Sequence, residues 1–182
     1  MKQILKSWVP LTAAFTFICG ILYVTIQQTY RSNANDPQIQ LAENTAALLN
    51  SGADPGVWGK APAVEISTSL KPYLIIYDGE GNPIASDAVL DGKIPVLPAG
   101  VLDYTREQGS NIVTWQPRRE VRSAIVILPF HSSISGFVVA GRSLRLVEER
   151  EGILIRQIAI GWIVSLILLL IVVGIAQVIF KS

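Results

Sequence analysis

The side chains that most often do chemistry are scarce in this chain. One histidine, His131, and one cysteine, Cys19, stand among 182 residues. A zinc site needs three or four Cys, His or carboxylate ligands at short spacings, and this pair does not supply them. The patterns H-E-x-x-H and G-x-S-x-G and a phosphate-binding glycine loop are absent from the sequence. No catalytic residue and no cofactor is therefore assigned, and an enzyme is not expected. A single cysteine also rules out an intramolecular disulfide.

The remaining candidates suit binding rather than catalysis. Tyr77, Tyr104 and Trp115, with Tyr73 nearby, are amphipathic aromatics of the kind that line small-ligand pockets, and plain core packing accounts for them equally well. His131 falls in a serine-rich turn, where it either anchors a ligand or acts as a pH switch, or simply faces water. We carry Tyr77, Tyr104, Trp115 and His131 as candidate ligand-binding residues. Arg118, Arg119 and Arg122 cluster at a hairpin tip and read either as an anion or headgroup contact or as a solvated tip. The pairs Glu148 and Glu149, with Glu151, read as the wet face of a helix.

Two long apolar runs frame these residues. Ser7–Tyr30 and Ile158–Phe180 each exceed the roughly 20 residues that cross a ~30 Å hydrocarbon core as a helix. They account for a mean hydropathy of +0.42 in a chain that is 50% hydrophobic. The resulting layout is a cytoplasmic start at 1–6, a span at 7–30, an extracytoplasmic domain at 31–152, a second span at 153–180 and a cytoplasmic end at 181–182. Lys2, Lys6 and Lys181 flank the outer ends of the two runs, and basic flanks stay cytoplasmic. Arg31 weakens that bias slightly, while Arg156 can snorkel to the interface.

The first run is longer than a signal-peptide core and no A-x-A-like cleavage site follows it, so it reads as an uncleaved anchor. Phe17 and Ile18 before Cys19 do not fit a lipidation site. Thr12, Thr16 and Gly20, and then Gly161 and Ser165, recur every four residues; such small-residue faces let membrane helices pack closely, within one chain or between two.

The middle segment, about 120 residues, is long enough for one domain with its own core. Residues 31–152 hold 11 lysines and arginines against 14 acids, which leaves −3 and gives no basis for nucleic-acid binding. Asn35-Asp36-Pro37 caps a helix that runs to Asn50. A glycine- and proline-rich loop carrying Trp58 follows. The sequence then predicts strands at 73–78, 84–89, 111–116, 121–130 and 136–141, with a short helix at 99–108 ended by Gly109. A charged helix at 143–151 leads into the second span. Strands 73–78, 121–130 and 136–141 are apolar on nearly every residue and must be buried on both faces. The expectation is an α+β domain built on one antiparallel sheet. The helix 36–50 covers one face, and the segment 85–108 covers the other over a modest cavity bounded by Tyr77, Tyr104, Trp115 and the loop 91–98.

This order, the D-G-E-G-N turn at 78–82 and the run G-F-V-V-A-G-R-S-L-R at 136–145 resemble extracytoplasmic PAS-like (single Cache) sensor domains. Those domains sit between the two spans of bacterial histidine kinases and chemoreceptors. The resemblance implies a PAS-like central antiparallel five-stranded sheet with flanking helices. It also implies that the first and last strands meet at the centre and that a small ligand binds between the sheet and its covering loops. An apolar residue, Ile125, stands where the dicarboxylate-sensing branch has an arginine, so an organic-acid ligand is not expected.

Only Lys181 and Ser182 follow the second span, so signalling would run through another membrane protein, a kinase or receptor, or through a second copy in a homodimer, with the lipid bilayer as the constant partner. The alternative is a structural or assembly scaffold of an envelope complex that binds no small ligand.

Overall fold

A computed structural model describes residues 2–33 and 36–179; Met1, Asn35, Phe180, Lys181 and Ser182, which the sequence reading invoked, lie outside the described residues. The chain divides into two units, Met1–Arg31 with Glu148–Ser182, and Ser32–Val147. In chain order the elements are α1 (Lys2–Asn33), α2 (Asp36–Asn50), a 3₁₀ segment (Pro55–Lys60), β1 (Val64–Glu65), β2 (Tyr73–Asp78), β3 (Pro83–Ser86), β4 (Ala88–Val89), α3 (Ala99–Gln108), β5 (Asn111–Arg118), β6 (Val121–His131), β7 (Ser135–Ser143) and α4 (Arg145–Ile179).

The second unit is α+β. Its main sheet has five strands in the order β3-β2-β7-β6-β5, and every neighbouring pair is antiparallel. As expected, the strand at 73–78 lies beside the last strand, with Tyr73 opposite Gly141 and Asp78 opposite Gly136. Side chains alternate between two cores because successive residues of a strand point to opposite faces. Leu74, Ile76, Val126, Val138 and Ala140 meet Ala42, Ala46 and Leu49 of α2 on one face. Tyr73, Ile75, Tyr77, Ile125, Ile127 and Val139 form the other core with Leu97 and Leu102 of the covering segment. Both faces are thus closed, which explains the unbroken apolar runs in the central strands.

Two local readings change. The expected strand 84–89 is split at Asp87. There the Asp87 N–H still donates to Leu74 O at 3.2 Å, but side chains join in: Leu74 N donates to Asp87 Oδ1 at 2.6 Å, and Ser86 Oγ donates to Leu74 O at 3.2 Å. Freed from β2, Ala88–Val89 turns away and pairs in parallel with Val64–Glu65, a strand the sequence reading missed. The loop around Trp58 is partly a 3₁₀ segment, started by Asp54, whose side chain accepts from Gly56 N at 2.9 Å ahead of Pro55 at the first position. This is the same Asp-Pro signal that opens α2.

In the first unit, α1 contains a segment Trp8–Tyr30, and α4 is itself a helix, each long and apolar enough to cross a membrane. Their large apolar side chains, Phe17, Leu22, Ile167 and Val172 among them, stand exposed rather than packed in a protein core. The expected separate helix at 143–151 and span at 153–180 form one helix from Arg145. Gly152 costs about 1 kcal/mol of helix propensity, too little to break a helix between strong formers.

Candidate functional site

The covering segment from Leu90 to Gln108 joins an irregular loop, 90–98, to the ten-residue helix α3, and polar bonds fasten it to the sheet. Tyr77 is fully buried, and its phenol does two jobs: it donates to Pro95 O at 3.4 Å and accepts from Leu97 N at 3.1 Å. Burial raises the Tyr77 pKa above the ordinary phenol range, partly offset by the Leu97 amide, so the group stays a neutral donor. At the segment's start Asp91 pairs with Arg118 of β5 at 2.5 Å, with both side chains largely exposed. At its end Arg106 of α3 bonds Asp103 Oδ1 at 2.6 Å and Gly79 O at 2.9 Å, and its guanidinium lies 5.3 Å from the Phe137 ring centroid.

Beneath this cover, Trp115 packs in the same core as Tyr77, Leu97 and Leu102. Tyr104 does not turn inward; it is 53% exposed on α3. His131 is exposed at the end of β6, where its backbone N–H donates to Asn50 Oδ1 at 2.7 Å and its Nδ1 lies 3.3 Å from Ser135 Oγ. The candidate ligand residues therefore fall in three places: Tyr77 with Trp115 in the core, Tyr104 on the surface above it, and His131 at the hairpin tip. Among the arginines, Arg118 is committed to Asp91.

Sequence reasoning singled out Tyr73 but not its partner. Tyr73 reaches across Gly141 to lie beside Ser123, both fully buried, and neither hydroxyl makes a hydrogen bond of ordinary geometry to a described residue. Burial drives the Tyr73 pKa well above the usual range, and the adjacent Ser123 hydroxyl offsets part of that. The face under the cover thus carries apolar groups and hydroxyls. Asp87 lies at its margin, with a pKa raised by burial against the opposing bond from Leu74 N.

The turn at 78–82 gives a pH prediction. Asp78 Oδ1 accepts from Glu80 N at 3.0 Å and Asn82 N at 2.8 Å, and these bonds, the Asn82 amide first, hold its carboxyl below the ordinary range. A depressed folded pKa contributes stability above the unfolded-state pKa and loses it as pH falls through the folded value. Asp87 is shifted the other way: its penalty exists above its raised folded pKa and fades below the unfolded one. We expect Asp78→Asn to lower the urea midpoint at pH 7 and to match the parent more closely at pH 3. Asp87→Asn, which keeps an acceptor for Leu74 N, should gain on the parent at pH 7 and lose that advantage at pH 3. Parallel pH profiles for all three proteins would contradict this account.

In the first unit, a side-chain hydrogen bond joins the two helices, Trp162 Nε1 donating to Thr16 Oγ1 at 2.9 Å. An open groove of about 450 Å³ beside it is lined by Thr16, Cys19, Gly20 and Tyr23 of α1 and by Ile155, Ile158, Ala159 and Trp162 of α4. A second groove includes Cys19, Gly161 and Ser165. Of the small residues predicted to pack, Thr16 bonds across the pair, while Thr12 bonds its own helix at Trp8 O, 2.8 Å away. A Cβ added at Gly20 or Gly161 would meet nothing within 4 Å, so neither glycine mediates a close approach within the chain. The contribution of Trp162 was not legible from spacing, because the small-residue rule does not look for an indole donor.

No group of three or more metal-ligating side chains occurs among the described residues. No protein-family model, no curated protein and no solved structure matches the chain, which leaves the functional reading to the geometry of the two units.

Proposed function

We propose that the chain is a membrane-anchored extracytoplasmic sensory or regulatory module of PAS-like (single Cache) type. Its domain takes up a small solute or a partner protein beneath the segment 90–108 and acts through its two spans on another membrane protein. The observation that carries this reading is asymmetry of cover. One face of the central sheet is closed by a 15-residue helix, the other by the irregular loop 90–98 and the shorter, ten-residue α3, held at Tyr77, Asp91 and Arg106. Elements that open for ligands are drawn from such weakly held cover. The strand order β3-β2-β7-β6-β5, with the first and last long strands adjacent at the centre, supports the PAS-like assignment. The orientation with both termini cytoplasmic rests on Lys2, Lys6 and Lys181. A face of apolar groups and neutral hydroxyls favours an uncharged, largely apolar solute over an organic acid.

The complete packing of Tyr77 and Trp115 favours the second reading, an envelope-assembly scaffold without a small ligand. One experiment separates the two. The full chain in detergent is screened by thermal shift against neutral and acidic metabolites. A true ligand at ~100 times its dissociation constant adds ~2.7 kcal/mol. A neutral compound that stabilises the parent, and stabilises the conservative variant Trp115→Phe less, supports the sensor; no shift from any compound leaves the scaffold. Reporter fusions at Gly92 and after Ser182 should read opposite sides of the membrane, and reading the same side defeats the orientation.

A further inference from the structure

The main sheet has two edges, and they are built differently. On one side β3 has four residues, begins with Pro83 and pairs with β2 in an irregular register. A short edge strand with a proline is blunted against further pairing. On the other side β5 has eight residues and pairs only with β6. The outward backbone groups of β5 have no protein partner among the described residues. Its residues 111–116 (N-I-V-T-W-Q) carry no charge. Ile112 is 52% exposed, and Thr114 and Gln116 are exposed on the same face. On the opposite face, the Asn111 side chain donates to Val101 O at 3.5 Å, which places that flank of α3 beside β5. Tyr104, three residues on from Val101, lies on the same flank and is exposed. An open, uncharged strand edge with an exposed isoleucine on one face and an exposed tyrosine on the other offers only one kind of complement to its backbone: another strand.

We infer that this edge is an interface between copies of the chain, with β5 of one copy pairing antiparallel to β5 of a second about a twofold axis through Thr114. The sequence is self-complementary in this register. Thr114 faces its own image, Ile112 faces Gln116, and Val113 faces Trp115, so exposed residues meet exposed residues and the faces covered by α2 and α3 continue across the junction. A twofold contact sets residue i against j and j against i, so a like-charged edge would meet its own charge and repel itself. None of residues 111–116 is charged, and Arg118, the first charge along the strand, is already held by Asp91. Pro117 has no N–H to donate and follows the register shift after Trp115, so pairing ends where the self-complementary stretch ends. The inference does not depend on a ligand beneath the cover, and it survives if the scaffold reading replaces the sensor one.

Disulfide trapping tests the register on the full chain reconstituted in lipid vesicles, with Cys19→Ser as the background. Thr114→Cys should cross-link to itself under mild oxidant about tenfold faster than Ile84→Cys on the other edge, because directly opposite Cβ atoms fall within disulfide reach. Ile112→Cys and Gln116→Cys should each cross-link poorly alone and well when the two are mixed. Thr114→Cys reacting no faster than Ile84→Cys overturns the interface. Ile112→Cys reacting with itself as fast as Thr114→Cys overturns the register and with it the proposal.

Discussion

Replacing Gly136 with alanine should destabilise the α+β domain by about 3 kcal/mol, the upper end of what overpacking a core costs. Gly136 sits near the start of β7, opposite Asp78 on one side and Phe130 on the other. A Cβ built there would run into the Tyr77 carbonyl oxygen and approach Phe130 Cε1 at 2.9 Å. The Phe130 ring, fully buried, occupies the space that a side chain at 136 would need. Neither obstacle can give: one is backbone in the central strand, the other a ring closed in by the α2-side core. Gly100 is the control. It lies in α3 with nothing within 4 Å of an added Cβ, and Gly100→Ala should be neutral or stabilise by up to about 1 kcal/mol through helix propensity. The urea midpoint of Gly136→Ala should fall, while that of Gly100→Ala should hold or rise. A loss below about 1 kcal/mol for Gly136→Ala would mean that β7 does not hold this register.

Much of this architecture could be read in advance because its signals are local. Asp36-Pro37 at one end and Asn50-Ser51-Gly52 at the other bracket α2, and Gly109, in a left-handed conformation at φ 79°, ends α3 where the sequence places it. The central strands announced their two-sided burial by being apolar throughout. What was not legible depends on partners far along the chain. Asp87 ends a strand because its carboxylate accepts the Leu74 amide, 13 residues earlier, and no short-range pattern encodes that bond. Tyr104 and Tyr77 look alike in sequence, yet only Tyr77 points into the core. Tyr77 is on a central strand, whereas Tyr104 lies on a flank of α3 that Leu102 and Thr105 leave facing water. The packing of the candidate spans was half legible: the four-residue spacing pointed to Thr16, while the indole that bonds it, Trp162, carried no such signal.

The largest functional consequence attaches to Tyr77. Truncation to alanine removes a fully buried aromatic from the centre of the sheet and should cost about 3–5 kcal/mol. Tyr77→Phe is the informative partner to that variant. It keeps the ring, the packing against Leu97 and Trp115, and the shape of the core. It deletes one oxygen, leaving Leu97 N–H without its acceptor and Pro95 O without its donor. An unpaired buried group costs about 1–3 kcal/mol, and here the cost falls on the cover rather than on the strands. Amide exchange at Leu97 should therefore accelerate about tenfold or more in Tyr77→Phe, while the amides of Ile75 and Ile76, inside the ladder, should accelerate no more than global stability requires. Loosening of that kind, confined to residues 93–97, is the motion a solute would need in order to enter beneath the segment. If Leu97 instead keeps its protection in Tyr77→Phe, then Leu97 and Leu102 hold the cover by apolar packing alone. The phenol would then be a passive occupant of the core, and the hydrogen-bonded pin at Tyr77 could no longer support a cover that opens.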